Sequence, residues 1–256
     1  MQCLPHALLT ADDLLNWLRE QGSADLSVVS APGLVDPRTR MITSRVFGFR
    51  DYPLEAELSA ALGWPVIVED NANLAAWNAW RHLRLTPSDS LLYIIYSCGF
   101  GAGMMLGGTL YYGATGAAGK ISLVTTPDKP SRHDQSLIRM INHLFAAIPG
   151  GTLSEVIALA KRGDETAQRA ASTYTTDFAS YLTFITAVIE PAILVLQDVP
   201  HVAELLSEEV RFALKDVGLQ TQVMISPLGP LSELDSAAQY GIRALERARL
   251  SLVREL

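Results

Sequence analysis

The sequence predicts an α/β fold, on three observations. Short apolar runs rich in branched and aromatic side chains, of which residues 91–96 are the clearest, are typical of buried strands. Longer segments with apolar residues at helical spacing lie between these runs. A glycine-rich stretch follows residues 91–96 directly. A chain of 256 residues suits one large domain or two lobes.

The first half alternates helices and strands. Leucines at helical spacing predict a helix over residues 10–20, with Thr10 as its N-cap. A strand is predicted at 26–30, a helix at 54–62 ended by Gly63, and a second strand at 65–68. The next helix opens at residues 69–73 and runs through Trp77 and Trp80.

The opening of that helix, Glu69-Asp70-Asn71-Ala72-Asn73, has two interpretations. Acidic and amide side chains at a helix N-terminus cap free N–H groups and complement the helix dipole. The alternative is a catalytic carboxylate, because α/β folds place ligands in the crevice beside the carboxyl ends of strands. The local sequence leaves both open.

The glycine-rich stretch, residues 97–120, predicts a hairpin. Gly107-Gly108 supplies the two positive-φ positions of a tight turn. Gly99, Gly101 and Gly103 alternate along the preceding strand, so one of its faces is bare backbone that another group approaches closely. If the hairpin is a phosphate loop, the approaching group is a phosphate. The simpler interpretation is a plain β-meander with glycine turns. A membrane helix is rejected because so many glycines make a poor continuous helix.

The second half is mostly helical, with helices at 154–161 and 165–189, strands at 193–196 and 223–225, and a last helix from Ser232. Arginines in the last helix alternate with Glu246 and Glu255, which is typical of a solvated face. Lys and Arg number 20 against 27 Asp and Glu, a net charge of −7, so no global field attracts nucleic acid or an anionic membrane. Two cysteines and no apolar leader indicate a cytoplasmic protein without a disulfide framework.

Three segments resemble the ROK family of sugar kinases and sugar-responsive repressors: APGLVDPRTR, FGFRDYPLEAELSAALGWPVIVEDNAN and GFGAGMMLGGTLYYGATGAAG. The resemblance implies a two-lobed actin-like (ribonuclease H-like) α/β fold with a ligand cleft between the lobes. It divides the chain into an N-terminal lobe at 1–70, joined by the last helix at 236–256, and a C-terminal lobe at 71–235. The glycine hairpin would then be the family's second phosphate loop.

The departures from the family pattern bear on activity. Family kinases have Glu-Asn-Asp-Ala-Asn at the helix opening, with the Asp as the catalytic base, and this chain has Asn71 at that position. An amide cannot hold the proton at neutral pH, and Asp70 is expected about 100° away around the helix. The family's first phosphate hairpin has no counterpart, so the N-terminal lobe is expected to be truncated. Gln197-Asp198-Val199-Pro200 stands where the family places glycines against adenosine, so we expect no ATP cofactor.

The sugar-contacting and zinc-binding positions also differ. The family's Gly-Glu-Ile-Gly-His, whose Glu and His contact the sugar and whose His ligates zinc, corresponds here to Gly119-Lys120-Ile121-Ser122-Leu123. Val46 stands where the family has a sugar-contacting Asn, and the Cys-rich zinc motif is absent. Tetrahedral zinc needs about four ligands, so no metal site is expected.

We therefore expect a non-catalytic ROK-like protein that acts as a ligand-sensing or dimerising domain. Gly33, Asp70, Asn71 and Lys120 are the candidate ligand-binding residues, and the ligand is a sugar or an anionic sugar derivative, since Lys120 adds a cation. An ATP-dependent sugar kinase and a structural remnant without a ligand are the alternatives. A homodimer is expected through a sheet edge left open by the missing hairpin, because proteins seldom leave such edges uncovered.

Overall fold

The computed structural model describes residues 10–96, 100–121, 153–228 and 232–254. The helices are α1 (Ala11–Glu20), α2 (Leu54–Leu62), α3 (Asn71–His82), α4 (Leu153–Lys161), α5 (Glu165–Ile189), α6 (Ala203–Asp216) and α7 (Ser232–Arg254). The first five strands are β1 (Ser27–Ala31), β2 (Leu34–Val35), β3 (Ile42–Ser44), β4 (Phe49–Tyr52) and β5 (Val66–Asp70). The others are β6 (Leu91–Ile95), β7 (Gly101–Leu106), β8 (Thr109–Leu110), β9 (Ile193–Leu196) and β10 (Gln222–Ile225).

A five-stranded mixed sheet in the order β10-β9-β6-β7-β8 is the centre of the second half. Strand β6 pairs in parallel with β9 and antiparallel with β7. Because strand side chains alternate, Leu92 and Ile94 face a core with α4, α5 and α6, while Leu91 and Tyr93 face a second core with α3. The sheet therefore separates α3 from the other three helices.

The first half contains two smaller sheets. Strands β1 and β5 pair in parallel from Ser27↔Val66 to Ala31↔Asp70, and β2, β3 and β4 form an antiparallel sheet beside them. Their core is closed by α1 and α2. Within the described residues, β1 pairs with β5 alone.

The predicted elements are confirmed with small shifts at their ends. Thr10 caps α1 through a capping box, and Gly63 ends α2 with φ 80°. The turn at Gly107 and Gly108 has φ 60° and 76°, as the hairpin requires. Strand β5 continues two residues beyond the predicted strand and ends at Asp70. Its carboxyl end therefore meets the N-terminus of α3 directly.

Helix α7 joins the two halves. Tyr240 packs edge-on against Trp77 of α3, with ring centroids 5.1 Å apart, and Ser236 accepts a hydrogen bond from the Asn78 amide. On the other side, a Cβ at Gly241 would lie 2.9 Å from a methyl of Val28, so α7 also lies close against β1. The lobe boundary at residue 70 stays a prediction. In the parts of the chain described here, we find no helix with the length and apolar character of a membrane span.

Candidate functional site at the β5–α3 junction

Asp70 lies between strand and helix and is the N-cap of α3. Its backbone is extended, with φ −65° and ψ 136°, and its Oδ1 accepts from the N–H groups of Ala72 and Asn73 at 3.1 and 3.2 Å. The expected position 100° around the helix is wrong, because Asp70 precedes the first helical residue. The capping interpretation of this carboxylate is confirmed.

The second oxygen of Asp70 is also engaged. Oδ2 forms an ion pair with the ammonium of Lys120, and the N–H of Gly33 points to it at 3.5 Å. The side chains of Asp70 and Lys120 are only 2% and 10% exposed. Three of the four candidate ligand-binding residues therefore meet at one buried carboxylate, whose oxygens are both bonded within the chain.

Asn71 is the first residue of α3 and is half-buried. Its Oδ1 accepts a hydrogen bond from the Ala72 N–H at 3.0 Å, and the same N–H also donates to Oδ1 of Asp70. An amide oxygen held this way completes the helix cap. It cannot take a proton from a substrate hydroxyl at neutral pH.

Lys120 reaches Asp70 because the loop before it is anchored at two points, Gly119 and Ala114. The Ala102 N–H in β7 donates to the Gly119 carbonyl at 2.8 Å. Arg38 donates to the Ala114 carbonyl from the first half of the chain. Residues 111–120, called here the crossing loop, thus connect the glycine hairpin to the β2–β3–β4 sheet.

Gly33 lies between β1 and β2, where no side chain fits. A Cβ there would come within 2.9 Å of the Thr43 carbonyl and 3.1 Å of the Ser44 Cβ. Ser44 in turn donates to the Pro32 carbonyl at 2.6 Å. The close approach of β3 therefore explains this glycine and turns its N–H toward Asp70.

The bare face of β7 is filled by helix α3. A Cβ at Gly103 would overlap the Ala72 carbonyl and lie 2.8 Å from the Ala76 Cβ, while one at Gly101 would lie 3.9 Å from the Ala72 Cβ. The close approach that the glycines predict is made by a helix in this structure. A phosphate contact by Gly101 and Gly103 stays a prediction, and Gly99 and Leu123 lie outside the described residues.

Glu69 is the residue that the sequence interpretation missed. It is fully buried, and its Oε1 accepts from the Asp70 N–H at 2.9 Å and from the Asn73 amide at 3.1 Å. Tyr112, in the crossing loop, donates to Oε2 at 2.9 Å. An acidic residue that directly follows the buried apolar run Val66–Val68 was the available signal, but its partner Tyr112, 43 positions away, could not be read from the sequence.

Burial raises the pKa of Glu69. Hydrogen bonds from Asn73, the Asp70 N–H and Tyr112, together with the charge of Arg40, lower the pKa and offset part of this effect. Burial, together with the adjacent Glu69, raises the pKa of Tyr112, so the phenol keeps its proton and donates it. Arg40 is held nearby by Glu55 and by the Val68 carbonyl at 2.6 Å.

Gln197, which stands where the family pattern has glycines, is bonded to Tyr96. Its side-chain oxygen accepts from the Tyr96 N–H at 3.1 Å, and its carbonyl accepts from the Tyr96 hydroxyl at 2.7 Å. Val46 lies 48% exposed in the turn between β3 and β4. The described residues contain no group of three or more His, Cys, Asp or Glu side chains placed to hold a metal ion.

Comparisons with known proteins agree with the fold. Residues 5–130 match the model of the ROK family. The bifunctional enzyme NanE/NanK of Brucella melitensis is 31% identical over 150 residues, covering 57% of this chain and 29% of that protein. The xylose repressor of Bacillus subtilis is 26% identical over 97 residues, covering 38% of this chain and 25% of that protein. The chain thus spans less than a third of these two relatives.

Among solved structures, a ROK hexokinase from Thermus thermophilus matches with a TM-score of 0.65 and 25% identity, covering 93% of this chain and 85% of that one. The two-lobed actin-like fold expected from the sequence is confirmed by this likeness. Kinases and a repressor both occur among the relatives.

Proposed function

Because residues 5–130 match the model of the ROK family, we propose that this protein binds a small ligand at the β5–α3 junction without phosphorylating it. It would act as a ligand-sensing and dimerising domain of the regulator type. The observation that carries this proposal is Asp70, because the carboxylate next to the family's base position is bonded on both oxygens.

The bonds that Asp70 makes within the chain support the absence of a catalytic base. Asp70 holds the N-terminus of α3 and Lys120, so taking a substrate proton would weaken the cap and leave a buried ammonium unpaired. Asn71 offers an amide in place of a carboxylate. Loss of a positioned base typically costs ~10²–10⁴ in rate.

The ion pair changes the argument about the ligand's charge. Lys120 by itself favours an anionic sugar derivative, but Asp70 compensates its charge within the site. A neutral sugar is then the simpler ligand, since its hydroxyls need donors and acceptors and no counter-charge.

The rival proposal is a sugar kinase, and the similarity to NanE/NanK and to the hexokinase favours it. ADP release measured with ATP and a panel of neutral and acidic sugars separates the two. We expect no sugar-dependent ADP from the natural chain. We expect none from Asn71→Asp either, because the restored carboxylate lies beside an intact Asp70–Lys120 pair and positioning of substrate supplies much of the rate.

Asn71→Ala, which introduces no carboxylate, is the matched control for that variant. The non-catalytic proposal would be contradicted if Asn71→Asp released ADP above a no-sugar blank when sugar is present and Asn71→Ala did not. Thermal unfolding with the same sugars tests binding separately. A saturable rise in the midpoint temperature of unfolding supports the sensing role. No rise with any sugar would favour a structural remnant without a ligand.

A further inference from the structure

A cavity in the first half of the chain is separate from the β5–α3 junction. It has a volume of about 530 Å³ and opens between the first turn of α1 and the β3–β4 hairpin. Its lining includes Asp12, Phe47, Phe49, Arg50 and Tyr52, and no residue that lines it belongs to the junction. We call it the α1–β4 cavity. Cavities of roughly 300–1,000 Å³ are the size that holds small ligands in proteins.

A β-bulge in β4 arranges the aromatic side chains of the cavity. Three steps along β4, from Phe49 to Tyr52, match two steps along β3, so β4 carries one extra residue. Within the bulge Asp51 takes φ 47°, and its N–H donates to the Thr43 hydroxyl at 3.0 Å. Side chains three positions apart on a regular strand point to opposite faces. The bulge instead stacks the rings of Phe49 and Tyr52, with centroids 4.7 Å apart.

Phe47 extends this stack into an aromatic wall of three rings. Its ring centroid lies 5.7 Å from that of Phe49. All three rings are half-buried, because they pack against the core of the first half and also line the cavity. Phe and Tyr rings pair with other flat rings in stacked or edge-on arrangements. The wall therefore suits a ligand that carries a flat apolar ring.

Two opposite charges also line the cavity. In the described part of the chain, the exposed side chains of Asp12 and Arg50 make no hydrogen bond or ion pair. The neighbouring acids are engaged, since Asp13 completes the capping box of α1 and Glu57 accepts from the Tyr52 hydroxyl. That hydrogen bond, then burial and the charges of Glu57 and Asp12, raise the pKa of Tyr52, so Asp12 lies near the aromatic wall.

We propose that the α1–β4 cavity binds a zwitterionic α-amino acid with an aromatic side chain. The ammonium of the ligand pairs with Asp12, its carboxylate accepts two hydrogen bonds from the Arg50 guanidinium, and its ring packs on the aromatic wall. A neutral sugar would leave both charges without a counter-charge, and a simple cation or anion would leave one. The inference uses no residue of the β5–α3 junction, so it holds whatever that site binds.

Calorimetric titration of the full chain with L-phenylalanine tests the ligand class. We expect saturable binding, and a dissociation constant at least roughly tenfold higher for three matched compounds. Phenethylamine lacks the carboxylate, 3-phenylpropionate lacks the ammonium and L-alanine lacks the ring. The proposal is overturned if L-phenylalanine does not bind, if any of the three binds as tightly, or if excess D-glucose displaces it.

Substitutions locate the ligand in the cavity. Asp12→Asn and Arg50→Gln should each weaken L-phenylalanine binding roughly tenfold, with an unchanged circular dichroism spectrum because both side chains are exposed. Asp25→Asn and Arg84→Gln are the matched controls, since both residues are exposed and neither lines the cavity. The controls should bind as the natural chain does. Natural affinity in both cavity variants, or an equal loss in the controls, would refute the assignment.

Discussion

Asp70 serves two elements with one carboxylate. One oxygen completes the N-terminus of α3, and the other compensates Lys120, which arrives from the crossing loop. Relative to the family pattern, the acid at position 70 and the cation at position 120 are both departures, and the structure joins them in one pair. The transposed order of Asp70 and Asn71 is thereby linked to Lys120, fifty positions along the chain.

That coupling predicts a non-additive pair of substitutions. Asp70→Asn keeps a capping oxygen but leaves the ammonium of Lys120 buried without a partner, and should cost roughly 3–5 kcal/mol of unfolding free energy. Lys120→Met should cost less, because Asp70 keeps its N–H donors. Urea unfolding of the double variant should show a loss smaller than the sum of the singles. Strict additivity would mean that the pair contributes nothing.

Glu69 predicts a pH dependence of stability. Its folded pKa is raised by burial, so its contribution is fully present below the ordinary carboxyl value of 4.5 and is lost as pH rises through the folded pKa. Glu69→Gln preserves the acceptor for Asp70 and Asn73 and does not ionise. The difference in melting temperature, variant minus natural chain, should therefore increase between pH 4.5 and pH 8. A constant difference across that range would contradict the raised pKa.

At the scale of elements, the glycines of β7 are explained by helix packing. Helix α3 lies so close to the strand that Gly103 faces the Ala72 carbonyl directly. The same contact sets where α3 begins, and hence where Asp70 and Asn71 stand relative to Lys120. A strand of ordinary residues would push the helix N-terminus away from the crossing loop.

Alanine substitution should affect the stability of the fold differently at Gly103 and at Gly101. Gly103→Ala should destabilise the fold by roughly 3 kcal/mol or more, because its Cβ overlaps backbone that cannot move without displacing α3. Gly101→Ala is the matched control, since its Cβ would make an ordinary 3.9 Å contact and should cost little. Thermal unfolding of both variants gives the comparison. Equal losses would argue against α3 as the group that requires Gly103.

At the scale of the whole molecule, the crossing loop and α7 tie the two halves together. Gly116, with φ 81°, lies directly against the Val35 carbonyl, and Arg38 bonds the same loop at Ala114. Helix α7 packs on both Trp77 and β1. The residues that meet at the β5–α3 junction are therefore supplied by both halves and depend on how the two halves pack.

For the whole chain we expect no stoichiometric zinc. The expectation rests on Leu123 and on the missing Cys-rich motif, because tetrahedral zinc needs about four thiolate, imidazole or carboxylate ligands. Elemental analysis of the purified full chain, after dialysis without chelator, is the measurement. One zinc per chain would show that ligands outside the described residues assemble a site.

The sequence by itself determined the local elements of this protein. Strand and helix periodicity placed β6, α2 and α5, and Gly107-Gly108 identified the hairpin turn, because each signal depends on neighbours only a few positions apart. The three matching segments also identified the family pattern and the amide at position 71. These are properties of short stretches, so no knowledge of packing was needed.

Only the tertiary structure decided what the site residues do. The partner of Asp70 is fifty positions away, Tyr112 reaches Glu69 across 43, and the face of Gly103 meets a helix that precedes it in the chain. The first two contacts depend on how the two halves pack, and the third depends on how α3 packs on β7; periodicity encodes neither. Whether a carboxylate caps a helix, holds a lysine or accepts a proton is set by these distant neighbours.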